Sequence, residues 1–176
     1  MAAEPEPAPD PAPVSDPEPG PGVPALGSRG QGWVVLQLAC MAGAAIAGWL
    51  SPGAASDLMT IAGLGLMVVG GAVAASGLLE LQRAAALTPL PYPRPEGRLV
   101  ESGAYRLVRH PIYGGLILMT LGWAAVRASP LALAAAIALA VVFDLKRRRE
   151  EAWLLAQHPG YRDYQHRTRA LIPGVY

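Results

Sequence analysis

Apolar and polar positions in this chain fall into long blocks. Residues 33 to 50 (WVVLQLACMAGAAIAGWL) and 58 to 79 (LMTIAGLGLMVVGGAVAASGLL) carry no charged side chain. Each reaches the roughly 18 to 20 residues that cross about 30 Å of hydrocarbon. Two further uncharged runs, 111 to 126 and 128 to 143, are separated only by Arg127. Each is slightly short for a crossing, so the pattern predicts a tight helical hairpin that turns at Arg127 to Pro130, its flanking polar side chains snorkelling outward. The expected fold is all-α: a multi-pass membrane protein with about four transmembrane helices (about 33–50, 58–79, 111–126 and 129–145). Its last two helices form the hairpin, and a cytoplasmic helical segment follows at 146–176.

Within the first two runs, small residues recur at four-residue spacing: Gly43 with Ala47, Ala44 with Gly48, Gly70 with Ala74. Such faces let helix backbones approach closely in lipid, and these helices are expected to serve as scaffold.

Composition adds a tail and an orientation. Mean hydropathy is +0.30 and about half of the 176 residues are hydrophobic. Residues 1–30 are instead rich in Pro, Ala and acid, a composition that predicts disorder, leaving 31–176 as the membrane domain. The tail lacks the basic start and small-residue cleavage site of a secretory signal, so the first span reads as an uncleaved anchor. The net charge of +1 is unevenly divided. Arg83, Arg94, Arg98, Arg106 and Arg109 lie between spans two and three, and Lys146, Arg147, Arg148, Arg149, Arg162, Arg167 and Arg169 follow span four. The opposite side has only Arg127, so both basic segments, and with four spans both termini, are expected in the cytoplasm. The single cysteine, Cys40, excludes an intramolecular disulfide.

Two segments go beyond what an anchor needs. In ELQRAAALTPLPYPRPEGRLVESGAYRLVRH, residues 80 to 110, prolines end any helix after Leu87 and leave an irregular surface stretch, which apolar and aromatic anchors suggest is ordered. After span four, residues 144 to 157 are expected to continue as a helix into the cytoplasm, break at His158-Pro159-Gly160, and give way to a short helix that stops at Pro173. The KRRR run suits an anionic leaflet, whereas Glu150 and Glu151 do not.

VRHPIYGG, residues 108 to 115, joins these segments to span three. Pro111 suits a first helical turn, and the unpaired N–H groups after it form a ready site for a carboxylate or phosphate. Gly114 and Gly115 leave the next turn bare, while Arg109, His110 and Tyr113 flank the opening. The histidines His110, His158 and His166 do not pair at helical spacing, so no metal is expected. GxGxxG, phosphate-loop and GxSxG motifs are missing from the sequence.

LVESGAYRLVRHPIYGG, the hairpin, the Glu-Glu pair and PGYRDYQHRTRALIPG together resemble the isoprenylcysteine carboxyl methyltransferase and phospholipid methyltransferase group of integral-membrane enzymes. The likeness covers about residues 86 to 175. Ala104 departs from the group's usual proline, and His158 from its usual phenylalanine. The resemblance implies S-adenosyl-L-methionine bound on the cytoplasmic side and a lipophilic or lipid-linked acceptor entering from the bilayer. It maps Gly97, Arg98, Leu99, Val100, Tyr105, His110, Pro111, Ile112, Tyr113 and one of Glu150 and Glu151 to the cofactor. For the arginine before the Glu pair, which contacts substrate, Arg147 is chosen over Lys146. Methyl transfer from a sulfonium needs alignment and a dry site more than acid–base groups. Arg147 would orient an anionic acceptor; for an amine, His110 becomes a candidate base. Membrane lipids are the other expected partners, and no nucleic acid is expected. Two alternatives are an NADPH-dependent sterol- or enone-type reductase, for which the expected Arg-Asp and Cys motifs are missing, and a non-enzymatic membrane adaptor, which would leave VRHPIYGG and the Glu pair unexplained.

Overall fold

In the computed structural model, residues 23–94 and 97–174 are described; the expected disorder of residues 1–22 falls outside them. Every regular element among the described residues is helical: α1 (Gln31–Leu50), α2 (Asp57–Arg83), a 3₁₀ turn (Gly103–Arg106), α3 (Pro111–Val126), α4 (Pro130–Gln157) and α5 (Tyr161–Arg167). Pro111 and Pro130 open their helices at the first turn, where a missing N–H costs nothing. The Ser56 and Ser129 side chains cap α2 and α4 by accepting from the amides of Met59 and Ala132. α2 stops at Arg83, four residues short of the expected limit, and Ala85 follows in the left-handed region at φ 53°. α5 likewise ends at Arg167, well before Pro173, because Thr168 turns extended and its hydroxyl bonds back to the Tyr164 carbonyl.

α1 and α2 are long and apolar enough to cross a membrane, and α3 is a shorter apolar helix. Their outward faces are uniformly apolar: Val35, Trp49, Ile61 and Val68 are all more than two-thirds exposed. The first half of α4 shows Leu131, Ile137 and Val141 in the same way, before the helix becomes charged from Asp144 onward. A surface of this kind is matched to hydrocarbon rather than water.

α2 and α3 pack at closest range through glycines. Gly63 lies against Gly122 and Gly70 against Gly115, so that a Cβ at any of the four would meet backbone atoms of the other helix. Gly70 and Ala74 thus form the contact expected of their spacing, and Gly48 makes room for the Trp123 indole. Gly43 faces open space and takes no part in helix packing. At the end away from the charged half of α4, the Ser51 and Ser129 hydroxyls meet at 3.0 Å. Arg127 donates from Nε to the Gly48 carbonyl, its guanidinium lying over the rings of Trp49 and Trp123.

Candidate active site

At the opposite end the C-terminal segment crosses the start of α3. Val108 and Arg169 form a parallel bridge, with the Arg109 amide donating to the Arg169 carbonyl at 2.8 Å and the His110 amide to Ala170 at 3.0 Å. Side chains reinforce the strap. Arg109 donates from Nη1 to the carbonyls of Thr168 (2.6 Å) and Gln165 (3.2 Å), and from Nε to Glu151 Oε1 (2.9 Å).

Glu151 is the centre of that junction. Its Oε1 also meets His110 Nε2 at 3.0 Å, its Oε2 accepts from Gln165 Nε2 at 2.9 Å, and Arg147 Nη1 stands 3.8 Å away. Burial would raise its carboxyl, but the hydrogen bonds and charges of His110 and Arg109 outweigh this and hold it at about 2, against 4.5 ordinarily. The carboxylate is therefore fully committed to joining α3, α4 and the C-terminal segment.

Glu150 points elsewhere. Its Oε2 accepts from the Tyr113 hydroxyl at 2.6 Å and lies 3.8 Å from His110 Nδ1, while Oε1 has no hydrogen-bond partner among the described residues. The His110 and Tyr113 rings stack at 5.3 Å, and Tyr113 stacks on Phe143 at 4.6 Å, forming a three-ring column beside this carboxylate. Lys146, almost wholly buried, lies over the Tyr113 ring and donates to Gln37 Oε1 (2.6 Å) and the Pro89 carbonyl (2.8 Å). Burial lowers its ammonium from 10.5 to about 8, with Glu150 pulling the other way.

These groups border a cavity of about 370 Å³, within the range of small-molecule sites. Its lining includes the charged or titratable Glu150, Lys146, His110 and Arg109, the aromatic Tyr105, Tyr113, Tyr161 and Tyr164, and the apolar Leu78, Leu81, Ile112 and Leu116. Burial raises the phenols of Tyr105, Tyr161 and Tyr164 well above the ordinary range, so all three remain protonated. The Tyr164 hydroxyl donates to the Tyr105 carbonyl at 2.7 Å, whereas the buried Tyr161 hydroxyl has no hydrogen-bond partner among the described residues.

Of the residues singled out from sequence, Gly97, Arg98, Leu99, Val100, Tyr105, His110, Ile112, Tyr113 and Glu150 border the cavity. Pro111, Glu151 and Arg147 do not. Pro111 is buried toward Gly77 of α2, and Arg147 reaches Asp144 at 2.6 Å. His158, which stands where the family resemblance has phenylalanine, is a half-buried wall residue whose imidazole pKa is lowered by burial.

Sequence reasoning missed the contribution of the first two helices. Read as scaffold, they supply Gln37, Leu78 and Leu81 to the wall. Gln37 carried a signal: it is the amide side chain in the middle of an uncharged span, where an unsatisfied polar group is costly. Tyr161 carried none beyond its place in the Tyr-rich helix. Among the described residues, no three His, Cys, Asp or Glu side chains group closely enough to hold a metal ion.

The pattern of the phospholipid methyltransferase family matches residues 58–159, from the start of α2 through the charged half of α4. The chain belongs to that family. The match takes in α2, which the motif resemblance had left out, and it contains the Glu pair and the VRHPIYGG turn. Over 82 residues the chain is 38% identical to the cobalt-zinc-cadmium resistance protein CzcN of Cupriavidus metallidurans, a match covering 46% of this chain. The chain spans 38% of that protein's length. No solved structure matches significantly.

Proposed function

We propose that the protein transfers the methyl group of S-adenosyl-L-methionine to a lipophilic acceptor at the cytoplasmic face of the membrane. The observation that carries this reading is the position of the cavity, where the apolar helices meet the charged half of α4. Its mixed polar and apolar lining suits two different molecules. Glu150, with one free oxygen, and the tyrosines suit the hydroxyls and purine of the cofactor; Leu78, Leu81 and Leu116 suit an acyl or prenyl chain. The residues present fit the cofactor because an open carboxylate beside neutral phenol donors matches its mixture of donors and acceptors.

When bound, the cofactor supplies an electrophilic methyl group on a positively charged sulfur. The chain's own residues align and dehydrate the reactants. Glu151 fixes the His110 ring by accepting from Nε2, which in the neutral ring leaves the lone pair on Nδ1, toward Glu150. The C-terminal strap holds Tyr161 and Tyr164 over the cavity. The role first given to Arg147 passes to Lys146, whose ammonium borders the cavity and would orient an anionic acceptor.

In this reading α1, α2, α3 and the first half of α4 all cross the bilayer, the last two as a hairpin, with both termini cytoplasmic. The direct test is equilibrium binding of S-adenosyl-L-methionine against NADPH to the protein purified in detergent, repeated with Glu150→Ala and His110→Ala. Cofactor binding that weakens at least tenfold in Glu150→Ala is expected; NADPH binding without S-adenosyl-L-methionine binding would refute the proposal.

A further inference from the structure

The turn between α3 and α4, at the end away from the cavity, places Arg127 where the apolar helices finish. Its Nε donates to the Gly48 carbonyl at 2.9 Å, and its guanidinium carbon lies 5.6 Å from the ring centres of both Trp49 and Trp123. The two Nη atoms carry the other N–H groups. Among the described residues they have no hydrogen-bond partner, and no carboxylate lies within ion-pair reach. An arginine at the edge of hydrocarbon with its outer N–H groups unused is costly unless an acceptor from outside meets it. The same two tryptophans line a shallow groove of about 430 Å³, completed by Ala45, Ile46 and Leu50. All five side chains are apolar, and Trp49 and Leu50 are more than two-thirds exposed. Guanidinium and groove therefore adjoin across Trp49 and Trp123, one suited to an anion and the other to hydrocarbon.

We propose that this corner binds one anionic phospholipid, its phosphate accepting from Arg127 Nη1 and Nη2 and one acyl chain lying along the groove over Trp49 and Trp123. The site stands apart from the methyl-transfer cavity and rests on the membrane embedding, not on the cofactor. With four spans as proposed above, the lipid belongs to the leaflet opposite the cytoplasm. Charge complementarity selects the occupant. A guanidinium meets a phosphate through parallel N–H donors. Because no carboxylate stands beside Arg127 among the described residues, the ammonium of a zwitterionic headgroup would find no counterpart there. Free phosphate would leave the apolar groove uncovered. A second copy of the chain docked symmetrically through the same groove would bring two unpaired guanidinium groups together, since such a contact uses the same patch on both partners.

The test titrates the full chain in detergent with phosphatidylglycerol or phosphatidylcholine brominated along the acyl chains, and follows quenching of tryptophan emission. Trp49 and Trp123 line the groove, whereas Trp33 and Trp153 are buried elsewhere. Wild type should reach half-quenching at about a fivefold lower concentration of phosphatidylglycerol than of phosphatidylcholine, the scale of one basic side chain at an anionic lipid. Arg127→Gln should respond equally to the two lipids. Where that variant melts too low to be titrated, Arg127→Lys, which keeps the charge but loses the planar fork, should show less than half the wild-type preference. Arg162→Gln, on α5 at the opposite end, should keep the preference in full. An equal response of wild type to both lipids, a preference retained in Arg127→Gln and Arg127→Lys, or one abolished in Arg162→Gln would overturn the proposal. Recovery of emission on adding glycerol 3-phosphate at the lipid's concentration would also overturn it, because the headgroup alone would then suffice.

Discussion

One position apart on α4, Glu150 and Glu151 project about 100° apart around the helix axis. That angle places one at the cavity and the other in the junction behind it. Glu151→Gln leaves Arg109 and His110 without their carboxylate and should lower stability by about 3 kcal/mol at pH 7, as breaking a buried ion pair does. Because its folded pKa is depressed to about 2 from 4.5, this stabilisation is complete above pH 4.5 and is lost as pH falls toward 2. Melting curves of wild type and variant, followed by tryptophan fluorescence, should therefore converge across that window. Glu150→Gln retains an acceptor for Tyr113 and should melt within about one degree of wild type while binding the cofactor at least tenfold more weakly.

Lys146 gives a second signature at the residue scale. With its folded pKa lowered to about 8, the unfolded chain holds the extra proton between about pH 8 and 10.5, so the cost of burying the charge disappears across that window. If the ammonium orients an anionic acceptor, kcat/KM for that acceptor should fall as pH rises through 8. Lys146→Met should give a low, flat profile there; an unchanged alkaline limb would remove Lys146 from that role. The Glu pair was visible in the sequence as carboxylates out of place at an anionic surface. Which one faced the cavity was not, because the phase of α4 relative to α3 is set by packing.

At the scale of elements, α2 and α3 depend on backbone approach. Gly115→Val and Gly122→Val would drive side-chain atoms into Gly70, Ala74 and Gly63, and each should lower the detergent melting temperature by several degrees and disorder the start of α3. Gly43→Ala and Gly65→Ala point into open space and should be neutral within about one degree. Measuring the four variants together distinguishes a packing seam from a general intolerance of larger residues. Four-residue spacing alone marked Gly43 and Gly70 alike. Only the partner helix distinguishes them, since a small residue matters where another backbone comes close. The start of α3 was legible because Pro111 acts locally; the ends of α2 and α5 were not, because a left-handed alanine and an extended threonine answer to the segments they meet.

At the scale of the whole molecule, the proposed four-span topology makes a prediction about sidedness. In a Cys40→Ser background, Ala54→Cys, between α1 and α2, should react with a membrane-impermeant maleimide in intact cells. Arg162→Cys, on α5, should react only after permeabilisation. The reverse pattern would invert the topology and place the cavity on the outer face.

Block hydrophobicity and helix-starting prolines determined the helices and the membrane environment, because chain length in hydrocarbon and local backbone geometry are properties of consecutive residues. The VRHPIYGG turn and the Glu pair marked the chemistry for a similar reason: charged and polar groups at an apolar boundary are costly enough to stand out. Tertiary structure alone decided that Arg109, Glu151 and the C-terminal strap form one junction, and that Gln37 and Lys146 meet across 109 positions of chain. Those are relations between helix faces. Their relative rotations are set by glycine contacts and buried hydrogen bonds formed only once the helices pack.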